Sequence, residues 1–427
     1  ISNRALLLAS FCDGSTTVRN VLESEDTEVM INALNRLGVD ININKEQHTC
    51  HIVGNSQLHN AKNPNSEHLF LEMGNAGTVI RPLTAMLSFG EGKYVLDGVK
   101  RMRERPIYDL VQSLQQLGCG VTCINGFPPV TIDTNGPSGN QVNISGNISS
   151  QYLSSLLMAA PLAQSDITIH LNSPLNSAPY IDLTLQVMKA FGVSVIVKPN
   201  KTSFFIRKDE VYHSPRGEYV IEGDASSASY FLALGAICGG PITVVGCGTT
   251  SIQGDKHFGT ILEKMGAHVQ WGENNITVSS PQKGCRLKGI DVDCSDIPDA
   301  AMTLAVVALF AKGTTTLRNI GSWRLKECDR LKAMVTELNK LQQRHNIGKN
   351  HIPCDENEDN DEKVAEKIAV EGFDCLTIHP PPLGSDGFPL MTTRVSINTY
   401  QDHRMAMCFS LIACTKVRVT IQDPDCT

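Results

Sequence analysis

The chain has 427 residues, 41% hydrophobic and 19% charged, with a net charge of −7, a globular composition with length enough for two or three domains. That acidic balance gives no general affinity for nucleic acid or a membrane surface, and no apolar run approaches the roughly 18 residues that a spanning helix needs. Fourteen cysteines are scattered without a Cys-x-x-Cys pair, so free thiols in a reducing compartment are expected rather than a disulfide framework.

In chain order, residues 4–11 (RALLLASF) read at once as an apolar helix behind Arg4. Ile1 is not an initiator methionine and 417–421 ends in a strand-like run without a closing element. A piece of a longer product is therefore expected, with no targeting segment excluded. Ser24 reads as the cap of a helix over 25–37, with Glu25, Asp26 and Glu28 in its first turn and Gly38 at its stop. Residues 42–67 read as a polar, weakly structured hairpin region. Next comes Gly74-Asn75-Ala76-Gly77-Thr78-Val79-Ile80-Arg81-Pro82, followed by the apolar run 83–87. Its glycines let backbone N–H groups approach a ligand, and the helix behind them offers the positive end of a dipole, a seat for phosphate or carboxylate. An ordinary turn is the plain alternative. After a short strand at 94–96, Arg101, Arg103 and Arg105 precede Pro106, expected at the first position of a helix reaching Leu117. A solvated basic turn is the plain reading of those arginines.

Residues 143–145 read as a strand, and Ser149, Ser150 and Gln151 then open a helix apolar nearly all round, hence buried. Hydroxyls there could simply cap it. Ser177, Tyr180 and Asp182 lie where another polar loop opens a helix running to Phe191, with a strand at 194–197 behind it. In the second half, 248–255 (GTTSIQGD) is a turn-rich loop, and Asp299 stands at the mouth of the most apolar helix of the chain, where an N-cap is the plain reading. Residues 323–330 (WRLKECDR) form the densest chemical cluster; on a helix Lys326 and Arg330 share a face, with Glu327 and Asp329 beside them, as they also would in a surface ion-pair ladder. Residues 345–372 contain an acidic tract too charged for a packed core. His345, His351, Cys354 and Asp355 within it make a metal site only on paper, lacking a recognised ligand spacing. Asp402-His403-Arg404 stands at the last helix start.

These helices recur. Six times, at 4–11, 77–87, 149–160, 226–237, 299–310 and 403–413, polar or small residues precede an apolar helix, and between them amphipathic helices stop at Gly38, Gly118, Gly192 and Gly266. Those glycines fall about 75 residues apart, room for two helices and several strands per repeat. The expected division is 1–222 and 223–427, three repeats each, with the acidic insertion at about 343–375. Each half reads as a layered α/β domain whose buried helices are covered by sheets. If both halves aim their helix N-termini into the gap between them, Arg4, Arg105, Arg330 and Arg404 make a cleft for small polyanions, with Asp299 and Glu327 as acid and base.

The segments SNRALLLAS, GNAGTVIRPLTA, RMRERPI, SSQYLSSLLMAAPLA, EGDASSASYFLA, SWRLKECDRL and DHRMAMCFSL closely resemble the 5-enolpyruvylshikimate-3-phosphate synthase family over essentially the whole length. The resemblance implies a two-domain inside-out α/β barrel of six βαβαββ repeats, three per domain, with the active site in the interdomain cleft. It implies transfer of the enolpyruvyl group of phosphoenolpyruvate to the 5-hydroxyl of shikimate 3-phosphate, without metal or organic cofactor, and glyphosate as inhibitor. Carried over by motif, Arg4, Ser149, Ser150, Gln151, Ser177, Tyr180, Asp299, Ser322 and Lys326 would hold shikimate 3-phosphate. Asn75, Gly77, Thr78, Arg105, Gln151, Arg330 and Arg404 would form the phosphoenolpyruvate and glyphosate seat, with His403 nearby. Glu327 would protonate the methylene carbon and Asp299 would help deprotonate the hydroxyl.

Gly77 and Pro82 match the glyphosate-sensitive loop, whereas Ser322 replaces an asparagine usual in bacterial members. Lysines of the family's pattern fall just outside residues 1–427, so the piece as written is expected to be inactive or very weak. A monomer, unless it is one section of a multifunctional polypeptide, and a cytoplasmic location, with plastid as alternative, are the further expectations. UDP-N-acetylglucosamine enolpyruvyl transferase has the same architecture but uses a cysteine on the loop before the arginine turn, and this chain has none between Cys50 and Cys119. A non-catalytic binding protein of the same fold is the rival from another class.

Overall fold

A computed structural model describes residues 1–58, 67–147, 149–175, 177–282, 285–342, 367–385 and 387–427. The candidate metal residues His345, His351, Cys354 and Asp355 lie outside them. The chain forms two compact units, Ile1–Ala225 with Thr249–Gly254 and Leu325–Glu327, and Ser226–Gly248 with Asp255–Arg324 and Cys328–Thr427.

The first unit contains α1 (Ser2–Ser10), β1 (Gly14–Arg19), α2 (Glu25–Arg36), β2 (Asp40–Asn44) and β3 (Thr49–Gly54). A second repeat follows as β4 (Leu69–Glu72), α3 (Gly77–Ser88), β5 (Glu91–Asp97), α4 (Tyr108–Gln116), β6 (Val121–Ile124) and β7 (Phe127–Asn135). The third is β8 (Gln141–Ile144), α5 (Ser150–Ala159), β9 (Ile167–Leu171), α6 (Ala178–Ala190), β10 (Ile196–Val197) and β11 (Ser203–Ile206), after which comes β12 (Glu218–Val220). The second and third sheets share one order, β4-β5-β7-β6 and β8-β9-β11-β10, with the first pair parallel and the others antiparallel. The first sheet repeats it as β12-β1-β3-β2, its leading strand coming from the far end of the unit and running parallel to β1. Unit 1 is thereby closed by its own last strand.

The second unit runs α7 (Ala225–Cys238), β13 (Ile242–Val245), α8 (Phe258–Lys264), β14 (His268–Trp271) and β15 (Asn275–Ser279), then β16 (Asp291–Asp293), α9 (Ala301–Val307), β17 (Thr315–Arg318), α10 (Arg330–Asn339), β18 (Ala369–Glu371) and β19 (Leu376–Ile378). It ends with β20 (Arg394–Ile397), α11 (His403–Ser410) and β21 (Arg418–Ile421). The order β16-β17-β19-β18 matches unit 1; β13-β15-β14 and the parallel pair β20-β21 are portions of the same plan.

Local sequence explains the frame. Ser24 accepts from the Thr27 amide and Thr27 answers it, a capping box that starts α2. Gly38, Gly118, Gly192 and Gly266 stop their helices at φ +93°, +83°, +90° and +101°, where a Cβ would cost 1–2 kcal/mol or so. Every residue of α3 except Thr78, and all seven of α9, are buried. In unit 1, α3 packs on α5 and α5 on α6, so apolar helices lie inside and sheets outside.

Four local expectations are corrected. Over its described part, 42–58, the hairpin region is not weakly structured: β2 pairs along its whole length with Thr49–Val53 of β3, and β3 pairs β1, because Cys50 and Ile52 face the core; residues 59–66 lie outside the described residues. Pro106 precedes α4, with Ile107 at the N-cap. Lys326 and Glu327 are not on a helix with Arg330: Gly321–Leu325 is a 3-10 turn, and Asp329 caps α10 by accepting from the Lys332 amide, starting the helix only at Arg330. The insertion, expected to 375, ends earlier, since Ala369–Glu371 is a strand paired to β19.

Candidate active site

In unit 1, Arg4 enters from α1. Its Nε donates to the Thr184 hydroxyl at 2.9 Å, and Thr184 in turn reaches the Tyr180 carbonyl and Ser154 on α5. Burial pulls the Arg4 guanidinium down to about 10, opposed by the neighbouring Tyr180, and among the described residues no carboxylate pairs with it. Ser149 accepts from the Gln151 amide at 3.2 Å, so the capping reading of that hydroxyl is correct; Ser150 is the first residue of α5. Ser177 stands at the N-cap of α6 with φ +57° and makes no side-chain cap.

Around the Gly74–Gly77 turn the arginines separate. Arg105 is 2% exposed and its Nη1 donates to the Asn75 carbonyl at 2.5 Å and to Asn75 Oδ1 at 3.1 Å. Glu327 Oε1 lies 3.6 Å from Arg105 Nη2. Arg101 donates to the backbone carbonyls of Lys326 and Glu327, at 3.0 and 3.2 Å, which fixes the segment bearing the Glu327 carboxylate. Arg103 instead pairs with Asp97 at 2.5 Å. The solvated-turn reading therefore fails for Arg105 and Arg101. No side chain caps α3, and Thr78 turns its hydroxyl to Asp26 Oδ2 at 2.5 Å while accepting from Asn3 Nδ2 at 2.8 Å.

Two unit 1 residues were missed by sequence reading. Arg81, one turn after Gly77, donates to Gln151 Oε1 at 2.5 Å and to the Pro106 carbonyl at 3.4 Å, and lies 5.6 Å over the Tyr152 ring. The four-residue spacing from Gly77 would have placed it on the same face. Asp26 is pushed up to about 6 by burial, with the Thr78 hydrogen bond and Arg105 pulling down and Glu327 pushing up. In sequence it resembles an ordinary first-turn acid.

Unit 2 binds its arginines differently. Arg330, 1% exposed, donates from Nε to Asp402 Oδ2 at 2.7 Å and from Nη1 to Asp299 Oδ1 at 2.8 Å; Arg404 Nη2 reaches Asp299 Oδ2 at 3.2 Å. Asp299 is therefore no N-cap: Ala300 occupies that place on α9, and the carboxylate is spent on two guanidiniums. Asp402, fully buried, caps α11 through the Arg404 amide at 3.0 Å. His403 is exposed at the first position of α11 and Ser322 lies half-buried in the 3-10 turn. Burial raises the Tyr230 phenol, against the pull of Arg404 and Arg330.

Buried helices with open, hydroxyl-capped or carboxylate-capped N-termini, repeated within sheets and carrying guanidiniums, make up a fold that solved structures share. An EPSP synthase from Acinetobacter baumannii is similar with TM-score 0.72 and 24% identity, covering 99% of this chain and 89% of that one. The enolpyruvyl transferase NikO from Streptomyces tendae is similar with TM-score 0.66 and 15% identity, covering 99% and 88%. The family model for EPSP synthase (3-phosphoshikimate 1-carboxyvinyltransferase) matches residues 1–427, and the chain belongs to that family. A 3-phosphoshikimate 1-carboxyvinyltransferase of Sulfurovum sp. is 47% identical over 429 residues, covering 100% of this chain and 91% of that protein. The chloroplastic protein of the same name from Arabidopsis thaliana is 46% identical over 436 residues, covering 100% and 78%.

Proposed function

We propose that the protein transfers the carboxyvinyl group of phosphoenolpyruvate to the 5-hydroxyl of shikimate 3-phosphate, a step towards aromatic amino acids. The hydroxyl oxygen bonds to the central carbon of phosphoenolpyruvate as the methylene carbon gains a proton. The resulting tetrahedral adduct then loses phosphate and that carbon's proton, leaving the enol ether and inorganic phosphate. The observation that carries the reading is the pairing of Arg105 with Glu327 in unit 1: a buried guanidinium suited to an anion beside a carboxyl group suited to move a proton.

Arg4, Ser149, Ser150, Gln151, Ser177, Tyr180, Asp299, Ser322 and Lys326 bind shikimate 3-phosphate in this reading. The turn Asn75–Gly77 with Arg105, Arg330 and Arg404 binds phosphoenolpyruvate or, as an inhibitor, glyphosate. Glu327 is the acid for the methylene carbon, and Asp299, oriented by two guanidiniums, takes the hydroxyl proton. No helix among the described residues is long and apolar enough to cross a membrane. We place the protein in the cytoplasm, with the plastid as the alternative. Phosphate release from phosphoenolpyruvate by full-length protein, dependent on shikimate 3-phosphate, is the test; equal turnover with UDP-N-acetylglucosamine, or none with either acceptor, would sink the reading.

A further inference from the structure

Glu337 sits where helix physics disfavours it. It lies in the last turn of α10, at the negative end of the dipole, and its side chain is completely buried. An apolar side chain would fill such a position without the desolvation cost of a carboxylate. Its three donors explain its presence. Lys340 Nζ donates to Oε2 at 2.6 Å, the Asn398 amide to the same oxygen at 3.1 Å, and the Tyr400 hydroxyl to Oε1 at 2.7 Å. Two of these come from the connection between β20 and α11, which carries Asp402, His403 and Arg404.

That connection is strained. Tyr400 and Gln401 are consecutive left-handed residues at φ +56° and +55°, a conformation that L side chains adopt only when surroundings impose it. Tyr400 remains 39% exposed, so its hydroxyl contact, rather than burial of its ring, ties it down. On the other side of the pair, Asp402 is held by Arg330 Nε at 2.7 Å and Nη2 at 3.3 Å. Helix α10 thus grips the turn at two points, through Arg330 at its start and Glu337 two turns later, with the left-handed pair between them. The turn delivers Asp402 as the cap of α11 and Arg404 towards Asp299 at 3.2 Å.

We propose that Glu337 is a positioning residue that, through Tyr400, fixes the left-handed turn aiming Arg404 at the carboxylate or phosphate of phosphoenolpyruvate; this rests on the substrate assignment proposed above. The test uses full-length Tyr400→Phe, which removes one hydroxyl and keeps the ring, alongside Glu337→Gln, Arg404→Lys and the double variant Tyr400→Phe/Arg404→Lys. Tyr400→Phe is expected to raise KM for phosphoenolpyruvate about tenfold, with KM for shikimate 3-phosphate unchanged and kcat within about threefold. In the double variant, the effect on KM is expected to be clearly less than the product of the single effects, because both act on one group. Should Arg404→Lys raise KM for phosphoenolpyruvate while Tyr400→Phe leaves it unchanged, or shifts both substrates alike, or multiplies independently with Arg404→Lys, the positioning role is overturned and the substrate assignment stands. If Arg404→Lys itself leaves that KM untouched, the assignment falls and takes the inference with it. A Glu337→Gln protein that does not fold leaves Tyr400→Phe to decide.

Discussion

The two units apply one building plan to opposite electrostatics. In unit 1, half-buried Arg4 and buried Arg81 face neutral acceptors, the Thr184 hydroxyl, the Gln151 amide oxygen and the Pro106 carbonyl, and Glu327 stands off from Arg105 at 3.6 Å. In unit 2, Arg330 and Arg404 are bound to Asp299 and Asp402 at 2.7–3.3 Å. A guanidinium desolvated among neutral groups gains most when an anion arrives. One already held by carboxylates is fixed in direction before any ligand binds and gains less charge compensation from it. Unit 1 therefore reads as the source of anion affinity, and unit 2 as a rigid frame that orients charge.

The sharpest way to break this contrast is Arg330→Ala. It leaves the buried Asp402 without its guanidinium partner and the half-buried Asp299 with Arg404 alone, so we expect roughly 3–5 kcal/mol of destabilisation, seen as an early transition in urea denaturation, together with loss of phosphate release. Full stability would show that unit 2 is not held by this network. Glu327→Gln addresses unit 1, where the acid stands off from its arginine: turnover should fall by about 10²–10⁴, while calorimetric binding of shikimate 3-phosphate stays within about threefold. Loss of that binding instead would make Glu327 a binding group and not an acid.

The repeat was legible because its punctuation is local. Glycine stops, the Ser24 cap and helices apolar on all sides each follow from a few adjacent residues, and the observed sheets recur with the same order. The partners within the site were not legible, because they are remote in sequence. Asp402 meets Arg330 across 72 positions and Arg404 meets Asp299 across 105. Lys326 and Glu327 offered a helical spacing, but arginine donation from 225 and 226 residues upstream holds their carbonyls outside a helix. Asp26 shows the same limit: a first-turn acid in sequence, it meets Thr78 52 residues later.

A smaller effect sharpens the unit 1 side. A Cβ on Gly77 would stand 2.3 Å from Arg81 Nη1 and 2.6 Å from Arg105 Nη2. Both are ends of flexible side chains, so Gly77→Ala should fold normally while displacing the two guanidiniums from the turn. KM for phosphoenolpyruvate is expected to rise roughly tenfold without change in KM for shikimate 3-phosphate. An unchanged KM would separate these arginines from that substrate.

The smallest expected effect concerns Asp26, a half-buried carboxyl group of unit 1 that accepts from Thr78 and feels the charge of Glu327. Its folded pKa is raised to about 6, chiefly by burial, from an ordinary value of 3.8. Between those values the folded protein holds a proton that the unfolded chain has released, so stability falls as pH rises from about 4 to 6 and does not recover above that window. Asp26→Asn keeps an acceptor for the Thr78 hydroxyl and removes the charge. At pH 7 the variant should therefore be more stable by about 1–2 kcal/mol, with the Asp26 contribution to the pH 4–6 slope gone. Urea denaturation of both proteins across that range measures it. Equal slopes would mean that Asp26 is solvated and that its carboxylate does not add to the negative charge opposing the arginines of unit 1. A lost slope would identify a desolvated acid whose charge costs stability at neutral pH, beside the second carboxylate Glu327.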